Sequence, residues 1–176
     1  IIRTELAVKM VCEQLPDVLV SIDTFRSEVA EAALKAGAHI VNDISGGARD
    51  SKMFETVAKY DAAYVLMHMR GTPQNMLEKT DYNDLIGDIQ LFFSEQINKA
   101  KDAGVKDIIL DPGFGFAKNV EQNHSVLKRF EQFNMHGFPV LAGLSRKSMI
   151  YKALDINQDD SLNGTTVFNT IALQKG

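Results

Sequence analysis

The chain has one cysteine, Cys12, and no tryptophan. A lone thiol closes no internal disulfide, so nothing ties the sequence to an oxidising compartment. Cys12 also stands far from the candidate site acids, which leaves a thiolate nucleophile unsupported. No apolar run approaches the length of a membrane span, and no basic leader precedes one. Positive charge is scarce as well: 19 Lys and Arg stand against 23 Asp and Glu, giving a net charge of -4 and a pI near 5.6. That balance argues against a nucleic-acid groove built on bulk positive field. There is no Pro/Gly/Ser-rich linker, no H-E-x-x-H, no His spacing for zinc, and neither the dinucleotide nor the G-x-x-x-x-G-K-[ST] phosphate pattern. What remains is an ordinary globular composition, 45% hydrophobic and 24% charged, over 176 residues. That length suffices for one domain with a sizeable core.

Within that composition, short apolar runs end repeatedly in polar residues. Val18 to Ile22 ends at Asp23, Ala38 to Val41 at Asn42-Asp43, Ala62 to Leu66 at Met67-His68, Ile108 to Leu110 at Asp111, and Val140 to Ala142 at Gly143-Leu144-Ser145-Arg146-Lys147. Helical patterns fill every gap: Thr4 to Leu15 leads in with Leu6, Ala7, Met10 and Val11, and Arg26 to Ala36 carries Val29, Ala30, Ala33 and Leu34 inward. A stripe from Tyr82 through Ile86, Ile89, Phe93 and Ile97 to Ala100 predicts one long helix that Gly104 stops. Strand, helix, strand in this rhythm means parallel βαβ crossovers, an α/β fold with ligands at the carboxyl ends of the strands. Five strands are too few for an eight-stranded barrel, and an open doubly wound sheet satisfies the same periodicities.

Asp111-Pro112-Gly113-Phe114-Gly115-Phe116 is the most pointed of these ends. The proline removes a backbone donor and the glycines allow close approach, which suits a ligand wall better than a plain turn. Asp23, Asn42 and Asp43 are equally suited to capping the helix that follows each of them. His68, between two methionines, fits packing as well as catalysis. Two cations and two hydroxyls in Ser145-Arg146-Lys147-Ser148 make a site for an anion or a polar ring. Acids, an amide and a lysine around Phe surfaces are the groups that clamp a flat, nitrogen-rich heterocycle, because a carboxylate accepts two parallel N–H bonds while lysine donates to a ring carbonyl.

Taken together and in order, Ser21-Ile22-Asp23-Thr24, Val41-Asn42-Asp43-Ile44, Leu66-Met67-His68-Met69, the Asp111 segment and Gly143 to Ser148 closely resemble dihydropteroate synthase. The resemblance implies a (β/α)8 TIM barrel, here incomplete, with about five of the eight parallel strands present. Residues 1–176 are then a single pterin-binding barrel domain, truncated or only partly represented at both ends. The implied reaction joins 6-hydroxymethyl-7,8-dihydropterin diphosphate to 4-aminobenzoate with release of diphosphate, with Mg²⁺ as cofactor, in a cytoplasmic homodimer. Asp111 takes the pterin N3–H and 2-amino edge, Asn42 the pyrimidine side, Asp23 a remaining N–H, and Lys147 the carbonyl and N5 side. Ile44, Met67 and Gly143 are expected in the pocket wall, Phe116 and Ser148 toward aminobenzoate, and Lys118 and Arg146 on part of the anion. No metal ligand is expected within this chain.

Two departures qualify the resemblance. Ala117 stands where the family often has glycine, and the family's first-strand Asn and eighth-strand Arg and His have no counterpart, so a chain of only these residues is expected to turn over negligibly. A methyltetrahydrofolate-binding methyltransferase, similar in fold and ring clamp, and a non-catalytic pterin-binding fragment are the alternatives.

Overall fold

The expected alternation is realised in the computed structural model, which describes all 176 residues. Helix α1 (Ile2–Gln14) precedes β1 (Ser21–Asp23), α2 (Ser27–Lys35), β2 (Ile40–Asp43), α3 (Met53–Lys59), β3 (Ala63–Met67), α4 (Leu85–Asp102) and β4 (Ile108–Asp111). Helices α5 (Val120–Lys128), α6 (Ser148–Leu154) and α7 (Leu162–Gln174) follow, with short 3-10 segments between them. The sheet has four strands in the order β1-β2-β3-β4. Its ladders are parallel, with Asp23 opposite Asn42 and Asp43 opposite Leu66. Parallel neighbours in chain order, each pair separated by a helix, are the pattern of an incomplete (β/α)8 barrel.

The fifth expected strand is reduced to one bridge. Val140 pairs in parallel with Leu110, through Leu110 N–H to the Pro139 carbonyl at 2.9 Å and Leu141 N–H to the Leu110 carbonyl at 2.8 Å. Pro139 brings no N–H of its own, and three residues before Gly143 are too few to lengthen the ladder.

Packing divides the chain into two compact units, Ile1–Met67 with Phe93–Ile109, and His68–Phe92 with Leu110–Gly176. In the first, Ala30, Ala33 and Leu34 of α2 are buried as their spacing predicts, together with Val41, Met53, Val57, Tyr64 and Leu66. Helix α1 departs from expectation: Leu6 and Met10 are exposed and Val8 is the buried residue. Its inward line passes through Val8 and Cys12, one turn apart, and the Cys12 thiol donates to the Gly37 carbonyl. Strand β1 also begins later than its apolar run, because Leu19 is exposed while the Val20 carbonyl already accepts from His39 and Ile40.

A buried carboxylate organises the end of β2. Asp43, with no exposed surface, accepts from the Ser45 N–H and hydroxyl, the Gly47 N–H and the Tyr64 hydroxyl at 2.7 to 3.0 Å. Four donors satisfy a carboxylate's lone pairs, so the charge is tolerated without a cation. Burial first, and then the Asp43 charge, hold the Tyr64 hydroxyl well above its ordinary pKa, so it stays a donor.

In the second unit Leu110, Phe114, Phe130, Phe133, Leu144, Met149 and Ile150 are buried. Phe130 and Phe133 lie on a 3-10 segment (Phe130–His136) that follows α5. Helix α5 starts with a capping box, Asn119 accepting from the Gln122 N–H while the Gln122 side chain accepts from the Asn119 N–H. Tyr82 precedes α4 instead of opening its stripe, and its hydroxyl donates to the Ala117 carbonyl at 2.9 Å.

Tyr64→Phe is expected to lower the unfolding free energy by about 1–3 kcal/mol, and Asp43→Ala by more because several buried donors are orphaned at once. Urea midpoints of the two variants measure this; midpoints equal to wild type would contradict it.

Candidate active site

Strand ends in each unit carry the polar residues that the sequence singles out. In the first unit, Asn42 Nδ2 donates to Asp23 Oδ2 across the β1-β2 ladder, a long bond of 3.4 Å. Asp23 is exposed and Asn42 half-buried. Capping does not claim Asp23: the α2 N-terminus is held by Asp50, whose Oδ2 accepts from the Ser27 N–H at 2.7 Å. Burial pushes the Asp50 carboxyl up, but donation from Ser27 and Lys52 outweighs it and leaves the group below its ordinary value. Asp43, by contrast, is committed to its own loop and Tyr64. Ile44 is half-buried and Met67 buried. The Arg26 and Arg49 guanidiniums lie over the Phe25 ring at 4.7 and 4.3 Å.

The second unit holds the denser cluster, built on the turn after β4. The Asp111 carboxylate, 8% exposed, accepts from the Gly113 N–H at 2.8 Å, and its backbone carbonyl accepts from the His68 N–H at 2.9 Å. Gly113 sits at φ +72°, and a Cβ there would collide with the His68 carbonyl oxygen. Only glycine fits so close an approach in that conformation. Burial raises the Asp111 pKa; the Gly113 N–H and the Lys147 and Lys118 charges oppose it without cancelling it.

Lys147 donates to the Phe114 carbonyl and lies 5.3 Å from the centre of the Phe116 ring. Gly115 and Gly143 flank it, and a Cβ built at either would be in ordinary contact with the Lys147 stem or ammonium at 3.4 to 3.5 Å. Burial lowers its pKa and the Asp111 charge raises it, with a net decrease. Ser148, the first residue of α6, and Phe116 are half-buried. Arg146 takes a left-handed conformation at φ +49° and its guanidinium reaches Asp159 at 3.4 Å.

Lys118 is placed differently from what the sequence suggests. It is 3% exposed, and its ammonium contacts His68 Nδ1, the Gly113 carbonyl and the Phe116 carbonyl, each at 3.1 Å. When protonated, the group directs its three hydrogens at these three internal acceptors, which leaves none for an external anion. No local pattern pairs His68 with Lys118, because fifty positions separate them and neither belongs to a recognised pair motif. Both titrate unusually. Burial, then the Lys118 and Arg70 charges, hold the imidazole well below its usual range, and burial brings Lys118 down to about 7. His68 is further enclosed by Phe92 and Tyr82, the latter covered by Arg70 at 3.8 Å. Ala117, the departure from the family pattern, is buried at φ +49°. Glycine adopts that region without penalty, and alanine costs roughly 1–2 kcal/mol there.

This second cluster presents a carboxylate acceptor and an ammonium donor beside an aromatic ring, which suits a polar planar ligand with both N–H and C=O groups on its edge. No set of three or more His, Cys, Asp or Glu side chains gathers to hold a metal ion.

The profile of the family described as "Pterin binding enzyme" matches residues 2–176. Among curated relatives, the dihydropteroate synthase of Synechocystis sp. is 50% identical over 141 residues, 79% of this chain and 49% of that protein. Two solved structures of Thermus thermophilus dihydropteroate synthase are each 37% identical: the complex with 4-aminobenzoate at a TM-score of 0.91, covering 96% of this chain and 65% of that one, and the complex with 6HMPPP at 0.92, covering 97% and 68%. The chain spans about half the length of the curated relatives it matches. With the profile matched almost from end to end, the chain belongs to the pterin-binding enzyme family.

Proposed function

We propose that the whole protein is a dihydropteroate synthase, condensing 6-hydroxymethyl-7,8-dihydropterin diphosphate with 4-aminobenzoate to give 7,8-dihydropteroate and diphosphate. The observation that carries this reading is Asp111, a buried carboxylate at a strand end with one N–H already donated to it and the Lys147 charge nearby. The similar Thermus thermophilus synthase, solved with 6HMPPP and with 4-aminobenzoate, supports the same substrates.

In this reading Asp111 accepts the N3–H and 2-amino hydrogens of the pterin as a pair of parallel bonds. The resemblance assigns the same ring to Asn42 on its pyrimidine side, Asp23 on a remaining N–H and Lys147 on the carbonyl and N5 side. The bond between the methylene carbon and the diphosphate oxygen breaks, its electron pair leaving with diphosphate, and the electron-rich dihydropterin stabilises the cation left behind. The 4-aminobenzoate nitrogen then bonds to that carbon and loses a proton. Fixed charges and alignment provide the acceleration, and no strong general base is required. Phe116 and Ser148 serve the aminobenzoate side, with Ile44, Met67 and Gly143 as wall. Arg146 remains available to the anion, whereas Lys118 does not.

Mg²⁺ belongs to the proposal as a charge-neutralising partner of diphosphate. No three His, Cys, Asp or Glu side chains of this chain gather as its ligands; bound together with diphosphate, the ion would neutralise charge on the leaving group. We also infer a homodimer in the cytoplasm; no helix is long and apolar enough to cross a membrane.

Mixing both substrates with the whole protein and Mg²⁺ should release diphosphate, and no methyl should pass from methyltetrahydrofolate to a corrinoid. The opposite pair of results would replace the synthase with the methyltransferase. Asp111→Asn, which keeps the shape but can accept only one of the two N–H bonds, should weaken pterin binding by about 2–3 kcal/mol, or roughly 30- to 150-fold, in calorimetry. Lys147→Met should weaken it by about tenfold or more through loss of a charged donor. Unchanged affinity in both would remove these residues from the ring.

A further inference from the structure

Lys118 is a buried amine, charged as pH falls below about 7, that the reaction, as read above, does not use. It lies in the second unit. His68 at the end of β3 receives one hydrogen and the carbonyls of Gly113 and Phe116 receive the other two. Asp111 attracts it, Lys147 and Arg70 repel it, and Tyr82 closes the cluster from above His68. The two carbonyls bracket the turn whose Gly113 N–H holds the Asp111 carboxylate and whose Phe114 carbonyl holds Lys147. A single ammonium therefore ties both ends of the segment from which two proposed pterin contacts are set, and supplies positive charge to one of them.

We propose that Lys118 is a positioning residue for the pterin site: clamped between His68 and the Gly113 and Phe116 carbonyls, it fixes the turn that aims Asp111 and keeps that carboxylate ionised. Lys118 does not touch substrate. His68 is its seat: a charged ammonium can only donate, so with Lys118 protonated the neutral imidazole accepts on Nδ1 and carries its ring hydrogen on Nε2. Arg at position 118 would keep the charge while changing the geometry of the clamp, and Met would keep the stem while deleting the charge; the two substitutions separate the roles. The proposal rests on the synthase reading.

Asp111 has to be ionised to accept two N–H bonds, and burial already raises its pKa. Pterin binding is accordingly present at higher pH and lost as pH falls through that raised value. Removing a nearby cation raises the value further, so the acidic limb of the binding profile moves to higher pH in Lys118→Met, by about one pH unit. The test is calorimetric titration of the whole protein with 6-hydroxymethylpterin, the ring without its diphosphate, so that phosphate protonation does not enter. Lys118→Arg should leave the limb where wild type has it even if affinity drops several-fold. If Lys118→Met does not fold, Lys118→Gln, which has two donors and no charge, is read in the same way. A limb at the wild-type pH in the uncharged variant overturns the proposal and leaves the synthase reading intact. Wild-type protein that binds no pterin at any pH overturns both.

Discussion

The site depends on one constraint: a carboxylate buried at the end of β4 has to stay charged. Asp111 is 8% exposed, and the desolvation of a carboxylate at that depth favours the neutral acid. The chain opposes this with the Gly113 N–H, directed at the carboxylate by a backbone conformation that only glycine occupies freely, and with two lysines whose own pKa values fall in consequence of burial. Charge, turn and cations make one unit. Glycine at 113 lets the turn pass the His68 carbonyl, the turn presents its carbonyls to Lys118 and Lys147, and those cations stabilise the acid that the turn presents. Each element would be unfavourable alone.

The end of β2 answers a related requirement by other means. Asp43 is buried completely and accepts from four donors of its own unit, with no cation among them. A carboxylate surrounded so fully has no capacity for a ligand, whereas Asp111 with a single side-chain bond does. This difference in satisfaction separates two aspartates that the sequence presents in the same way, each closing an apolar run. Asn42, one position before Asp43 and pointing the other way out of the strand, keeps only a long bond to Asp23.

The order of elements was legible because short apolar runs and 3.6-residue patterns seldom mislead when they alternate so regularly, and the strand-end residues were found because strand ends are where this architecture puts polar groups. Failures came where side-chain type and local environment part. The apolar residues of α1 do not mark its inward face, and Pro139 deprives the last apolar run of a ladder. Asp50 as the α2 cap and His68 as the seat of Lys118 depend on contacts 23 and 50 positions apart, which no local pattern announces. Lys118 is the instructive case. A lysine after a Gly-Phe turn looks like an anion contact in sequence, and only the three acceptors around it show that its hydrogens point inward.

The most direct measurement of the central claim is a crystal structure of the whole protein with 6-hydroxymethylpterin bound. The account predicts that both Asp111 carboxylate oxygens face the N3–H and 2-amino edge of the ring while the Gly113 N–H bond is retained. A ring bound elsewhere, or one that meets Asp111 through a single oxygen after the turn has opened, would contradict it.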